Sequence, residues 1–149
     1  MKTIIVLFHP APDKSHRNAL IQSHLQQLHN ITYHIISQQP FDPIYEQTLL
    51  KQFDRIIFQY PLYNYNIPGI GKLYLDAVLD KKLFRNKWLR IIITTGQPRM
   101  FYKTKLIQTV FKSWECVSEL CGFVFEDPFV LFGLQKESKI IELKKILKR

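Results

Sequence analysis

At 149 residues the chain is sized for one domain with a real core, and its 46% hydrophobic content excludes a disordered polypeptide. No apolar run is long enough to cross a bilayer. The greasy opening "MKTIIVLFHP" ends at His9-Pro10 without a small-residue cleavage site, so it reads as a buried strand rather than a leader. The formal net charge is +9, much of it in "KKLFRNKWLR" and "KKILKR"; such a surface attracts anions in general and selects no class of partner.

Lys2 to Phe8 is predicted to be the first strand. Ser15 to Leu28 follows as a helix, with Leu20, Ile21, Leu25 and Leu28 at helical spacing and Ser15 as its N-cap. Thr32 to Ser37 is a second strand, and Tyr45 to Phe53 a short helix. Arg55 to Gln59, "RIIFQ", is apolar on both faces, as a buried parallel strand is. Pro68 to Leu79 is a helix that opens on proline. "LRIIITT" is the fourth strand, and Thr104 to Leu120 a long helix ended by Gly122. Phe123 to Phe132 holds a fifth strand interrupted by Pro128, and Lys136 to Lys148 closes the chain as a basic helix. Strands alternating with helices argue for a parallel sheet covered on both faces, in one domain over residues 1–149.

In such folds ligands sit beyond the carboxyl ends of the strands. The loops after strands one, three and four are "HPAPDKSHRN", "YPLYNYNIP" and "GQPRMFY". The first feeds a helix start at Ser15, His16, Arg17 and Asn18, where free backbone N–H groups and added donors suit a phosphate; an ordinary capping sequence is the equally weighted alternative. The second, Pro61, Leu62, Tyr63, Asn64 and Tyr65, is rich in rings where a connector would favour small polar residues, and a flat conjugated ring fits against it. The third, Thr94, Thr95, Gly96 and Gln97, adds hydroxyls and a flexible glycine, with the Tyr102 phenol beyond. Core packing is the usual role of any one aromatic residue, but three loops at one sheet edge point to one ligand.

Other chemistries find little support. Neither a G-x-G-x-x-G fingerprint nor a Walker loop is present, nor a G-x-S-x-G elbow. Histidines 9, 16, 24, 29 and 34 make no H-x-x-x-H, and Cys116 and Cys121 diverge on their helix, so neither a metal nor a disulfide is expected. No nucleic-acid-binding signature accompanies the bulk charge.

The runs "HPAPDKSHRNAL", "FQYPLYNYNIPGIGKLYLDAV" and "TTGQPRMFY" resemble, in order and spacing, the flavodoxin-like NAD(P)H:quinone oxidoreductases, including the modulator-of-drug-activity-B type and the ancillary flavoproteins of potassium-efflux systems. The resemblance runs from residue 1 to about residue 123. It implies a flavodoxin-like three-layer sandwich with a five-stranded parallel sheet in the order 2-1-3-4-5. It also implies a bound flavin, FMN before FAD, with NAD(P)H as co-substrate and a small quinone-like acceptor. By position, His9 and Ser15 to Asn18 hold the phosphate end, Pro61 to Tyr65 lie along the isoalloxazine, Thr94 to Gln97 meet its polar edge, and Tyr102 is the active-site phenol. A homodimer in the cytoplasm is expected, as is peripheral contact with a membrane or membrane protein through the basic surface. The chain departs from the family at Asn64 (usually Trp), Gln97 (usually Gly) and Gly71 (usually bulky and apolar). Those departures keep a flavin-binding regulatory subunit with little turnover as the alternative.

Overall fold

The computed structural model describes residues 1–102, 104–133 and 137–148. Its strands are β1 (Thr3–Phe8), β2 (Ile31–Ile36), β3 (Arg55–Pro61), β4 (Trp88–Thr94), β5 (Val124–Phe125) and β6 (Phe129–Leu131). Its helices are α1 (His16–Leu25), α2 (Pro43–Lys51), α3 (Gly69–Val78), α4 (Thr104–Cys121) and α5 (Glu137–Leu147). Short 3₁₀ turns at Pro12–Lys14 and Arg99–Phe101 precede α1 and α4.

The sheet runs β2-β1-β3-β4-β5, with β6 also on β4, and every pairing between named strands is parallel. The predicted order therefore holds, but the fifth position is filled by two short strands. Between them Arg90 donates through Nη1 to the Asp127 carbonyl at 2.8 Å, and Arg55 Nη2 to Glu126 Oε1 at 3.0 Å. These buried guanidinium groups and Pro128, which has no N–H for a ladder, hold the chain out of register until Phe129.

Alternation along the buried strands splits the core. Ile4, Val6, Phe8, Phe58, Tyr60, Ile91 and Ile93 face Tyr74 of α3 and Trp114 of α4, while Ile5, Ile57 and Ile92 face Ile21 and Leu25 of α1 and Ile140 and Leu143 of α5. Full burial on both faces is why β1, β3 and β4 read as continuous apolar runs. Cys121 joins the first of these layers and Cys116 is exposed; both are free thiols.

Helix boundaries shift modestly from the sequence reading. α1 ends at Leu25, and Leu28 stays buried because its N–H turns back to the Leu25 carbonyl at 2.9 Å. α2 starts earlier than predicted because Asp42 caps it, accepting at Oδ1 from the N–H of Ile44 at 2.9 Å, with Pro43 in the first turn. Pro68 stands at the N-cap of α3 rather than inside it. Of the closing basic helix, Lys136 lies outside the described residues. No helix among the described residues is long and apolar enough to cross a membrane.

Candidate functional site

Parallel strands deliver the β1, β3 and β4 loops to one edge of the sheet. What joins them is Asn18, buried in the first turn of α1. Its Nδ2 donates to Ser15 Oγ at 2.7 Å and reaches Thr94 Oγ1 on β4 at 3.4 Å. Its Oδ1 accepts from Nε2 of Gln59, fully buried on β3, at 2.8 Å. One carboxamide thus locks the head of α1 onto two central strands.

Ser15 occupies the N-cap position of α1 but makes no side-chain cap bond, which corrects the capping role read from the sequence. Its oxygen is held by Asn18 instead, leaving the hydroxyl proton to donate outward. The first turn-to-turn bond of the helix runs from Ala19 N–H to Ser15 carbonyl, so the N–H groups of His16, Arg17 and Asn18 lie ahead of the helical ladder. That end carries partial positive charge and suits an anion. Arg17 adds charge and braces the site, with Nη1 donating to the Phe132 carbonyl at 3.2 Å. His16 is exposed. His9, 7% exposed at the end of β1, accepts from Ala11 N–H at Nδ1, which leaves its proton on Nε2. Burial holds its pKa below the ordinary histidine value, so the ring is neutral at pH 7.

The β3 loop is a tight hairpin turn. Tyr63 and Asn66 exchange backbone hydrogen bonds of 2.9 Å, and Asn64 and Tyr65 between them have φ of +49° and +62°. Positive φ at both central residues is the type I′ geometry, which favours Asn and Gly. Asn64 suits it; a tyrosine does not, so its backbone is strained. The turn leaves Tyr63 and Tyr65 44% and 41% exposed. Tyr63 meets His9 edge-on at 6.3 Å, and Tyr65 meets Tyr102 edge-on at 5.9 Å. Pro61 closes β3, and the half-buried Leu62 is tied by its N–H to the Thr94 carbonyl at 2.8 Å.

In the β4 loop, Thr94 and Thr95 are buried. The Thr95 hydroxyl donates to the Gln97 carbonyl at 2.9 Å, so it shapes the loop from below. Gly96 and Gln97 are the exposed members. Gly133, after β6, clamps them by donating to the Gln97 carbonyl at 2.8 Å. A Cβ at Gly133 would stand 2.5 Å from the Gly96 oxygen, so only glycine permits this approach. Tyr102 sits half-buried between Tyr65 and Phe132, whose ring lies 5.7 Å away, and among the described residues its hydroxyl has no hydrogen-bond partner.

The structure thus brings the predicted residues to one edge and adds Gln59, Asn66, Phe132 and Gly133, which sequence reasoning passed over. Gly71 is also explained: a Cβ there would lie 2.6 Å from the Ile67 side chain, which occupies the space of the missing bulk.

A sequence profile of the flavodoxin-like fold family matches residues 1–149. A curated relative, the glutathione-regulated potassium-efflux system ancillary protein KefG of Salmonella gallinarum, is 29% identical over 154 residues, spanning 92% of this chain and 84% of that protein. Among solved structures, a protein (NADPH-quinone reductase) from P. pentosaceus superposes with a TM-score of 0.89 at 21% identity, over 98% of this chain and 97% of that one. General stress protein 14 of Treponema denticola, in complex with FMN, superposes with a TM-score of 0.80 at 23% identity, over 99% and 94% of the two chains.

Proposed function

The chain belongs to the flavodoxin-like fold family, and from that premise we propose that it is a flavin-dependent NAD(P)H oxidoreductase that reduces quinones or similar small acceptors. The observation that carries this reading is the convergence, at one sheet edge, of an anion-ready helix end with a strained turn that holds two tyrosine rings open to solvent. FMN, rather than FAD, matches a site with a single helix end for phosphate. A fold neighbour named as an NADPH-quinone reductase and another holding FMN support the assignment.

The residues present fit the flavin. The N–H groups of His16, Arg17 and Asn18 and the Ser15 hydroxyl would hold its phosphate. Pro61 to Tyr65 would face its ring system, and the exposed backbone of Gly96 and Gln97 its polar edge. When bound, FMN supplies two-electron hydride chemistry. The protein supplies the rest. His9, neutral, brings no positive charge beside Tyr63. Tyr102 holds a hydroxyl proton at the rim, where it donates a hydrogen bond to charge developing on an acceptor. One open face beside Tyr65 serves nicotinamide and acceptor in turn, which is the ping-pong order. The net charge of +9 favours the phosphorylated nicotinamide. The chain works as a cytoplasmic homodimer.

A second reading, a flavin-binding ancillary subunit of a membrane transporter, is favoured by the relatives named as ancillary proteins of a potassium-efflux system and by the basic surface. The test is the visible spectrum of the protein with FMN, followed by stopped-flow mixing with NADPH and NADH. Rapid bleaching and turnover with a small quinone support the enzyme. Bound flavin that stays oxidised with both nucleotides selects the ancillary reading, and failure to bind FMN at all overturns both.

A further inference from the structure

Four polar side chains run in a hydrogen-bonded line from β2 to the helix start of the site. Tyr33 on β2 donates its hydroxyl proton to Gln59 Oε1 at 3.4 Å. Gln59 Nε2 donates to Asn18 Oδ1 at 2.8 Å, and Asn18 Nδ2 to Ser15 Oγ at 2.7 Å. β1 lies between β2 and β3. On it Ile5 pairs in register with Tyr33, and Leu7 with Gln59, so the tyrosine reaches diagonally across β1.

Such a line can run in two directions. As it stands, every member donates toward Ser15, whose oxygen accepts and whose proton is left to point outward. With both carboxamides turned over, Ser15 would donate to Asn18, Asn18 to Gln59 and Gln59 to Tyr33, and Ser15 would offer only lone pairs. A phosphate is itself an acceptor, so the first direction binds it and the second repels it. The hydroxyls of Ser15 and Thr94 donate or accept equally well, so neither sets the direction. Tyr33 does set it. Among the described residues its hydroxyl has no other hydrogen-bond partner, so the reversed line would leave its proton unpaired. Burial holds its pKa far above the ordinary phenol value, which keeps that proton in place. A desolvated donor left unpaired costs more than an ordinary bond gains.

We propose that Tyr33 and Gln59 are positioning residues for the flavin phosphate: they fix the direction of the line that ends on Ser15, so that its hydroxyl donates to the ligand. This rests on the flavin reading and adds to it two side chains that do not touch the phosphate.

The experiment titrates FMN, and riboflavin as the same ring system without the phosphate, by flavin fluorescence. Tyr33→Phe, checked for folding by circular dichroism, weakens FMN roughly fivefold, about the worth of one hydrogen bond, and binds riboflavin as the parent does. In a Ser15→Ala background the same substitution lowers FMN affinity no further, because Tyr33 acts only through the serine. Gln59→Glu supplies a readout that packing alone would not move. Its protonated carboxyl accepts from Tyr33 and donates to Asn18, as the amide does. Its ionised form accepts from both, so Asn18 turns over and Ser15 is reversed. FMN affinity relative to the parent at the same pH therefore falls as pH rises between about 5 and 8. Equal FMN affinity in the parent and Tyr33→Phe overturns the proposal. So does an equal loss of riboflavin, or a Gln59→Glu ratio that stays flat with pH. A parent that binds no FMN overturns the flavin reading itself, and the proposal with it.

Discussion

Asn18→Ala separates the scaffold of the site from its ligand contacts. The substitution strands Nε2 of Gln59, a donor in a fully buried side chain that otherwise bonds Asn18 Oδ1 at 2.8 Å. An unpaired buried donor costs about 1–3 kcal/mol, and the lost bond to Ser15 about 1 kcal/mol more. The sum, roughly 3 kcal/mol, corresponds to a fall of about 6–12 °C in Tm for a chain of this size. Ser15→Ala removes one bond in a half-buried position, so its Tm falls only about 2–4 °C. Its effect on FMN is the larger one. A hydrogen bond to a charged phosphate is worth about 1.5–3 kcal/mol, or roughly 10- to 150-fold in Kd. Asn18→Asp keeps an acceptor for Gln59 but sets a carboxylate beside the phosphate and abolishes FMN binding. Calorimetric melts of the flavin-free protein and fluorescence titration with FMN measure both quantities. If Asn18→Ala melts within 2 °C of the parent (a small fraction of the roughly 3 kcal/mol expected), the carboxamide does not hold the loops together and the reasoning fails.

Three further outcomes are expected. His9 has a native pKa below its unfolded value, so its contribution to stability is complete above about pH 6.5 and is lost as pH falls through the lowered native value; His9→Gln flattens that part of a Tm-versus-pH profile, and an unchanged profile refutes it. Gly133→Ala pushes a Cβ into the backbone of Gly96 and Gln97, so FMN affinity falls at least tenfold by titration while far-ultraviolet dichroism is unchanged; equal affinity would mean that the clamp does not shape the flavin site. Tyr102→Phe keeps both ring contacts and deletes only the hydroxyl, so FMN binds as before while quinone turnover drops roughly tenfold to a thousandfold; full activity removes the phenol from the mechanism.

The layers of this fold were legible because they depend on local pattern. β1, β3 and β4 are runs with no polar face, and the alternation of strands with helices fixes a parallel sheet whose ligand edge follows. What escaped was long-range. Asn18 meets Gln59 across 41 residues and Thr94 across 76, so nothing near Asn18 distinguishes a buried tie from a phosphate donor. Arg90 falls in a run that reads as basic surface and Arg55 opens a strand that reads as apolar, yet both guanidinium groups are buried against Glu126, which splits the fifth strand. Gly133 carries no signal of its own, because the backbone it must approach lies in another loop. The turn at Asn64 lacked the Asn-Gly dipeptide that marks type I′ geometry, since Tyr65 holds the glycine position.

That misfit explains how the edge is built. An L-residue with a Cβ in the left-handed region costs about 1–2 kcal/mol, and glycine at position 65 would avoid it. A glycine would also delete the ring that meets Tyr102 and lines a groove beside α4. The turn therefore holds strain in exchange for placing an aromatic side chain at its tip, and the neighbouring position limits the total. Asn64, at φ +49°, is among the non-glycine residues best suited to that backbone. The tryptophan that the resembled family carries there would add an aromatic surface and, in this turn, a second strained residue. Reciprocal Tyr63–Asn66 bonds and the Leu62 tie to Thr94 fix the turn on both sides, so the strain is borne by a rigid frame and the ring stays exposed at its tip.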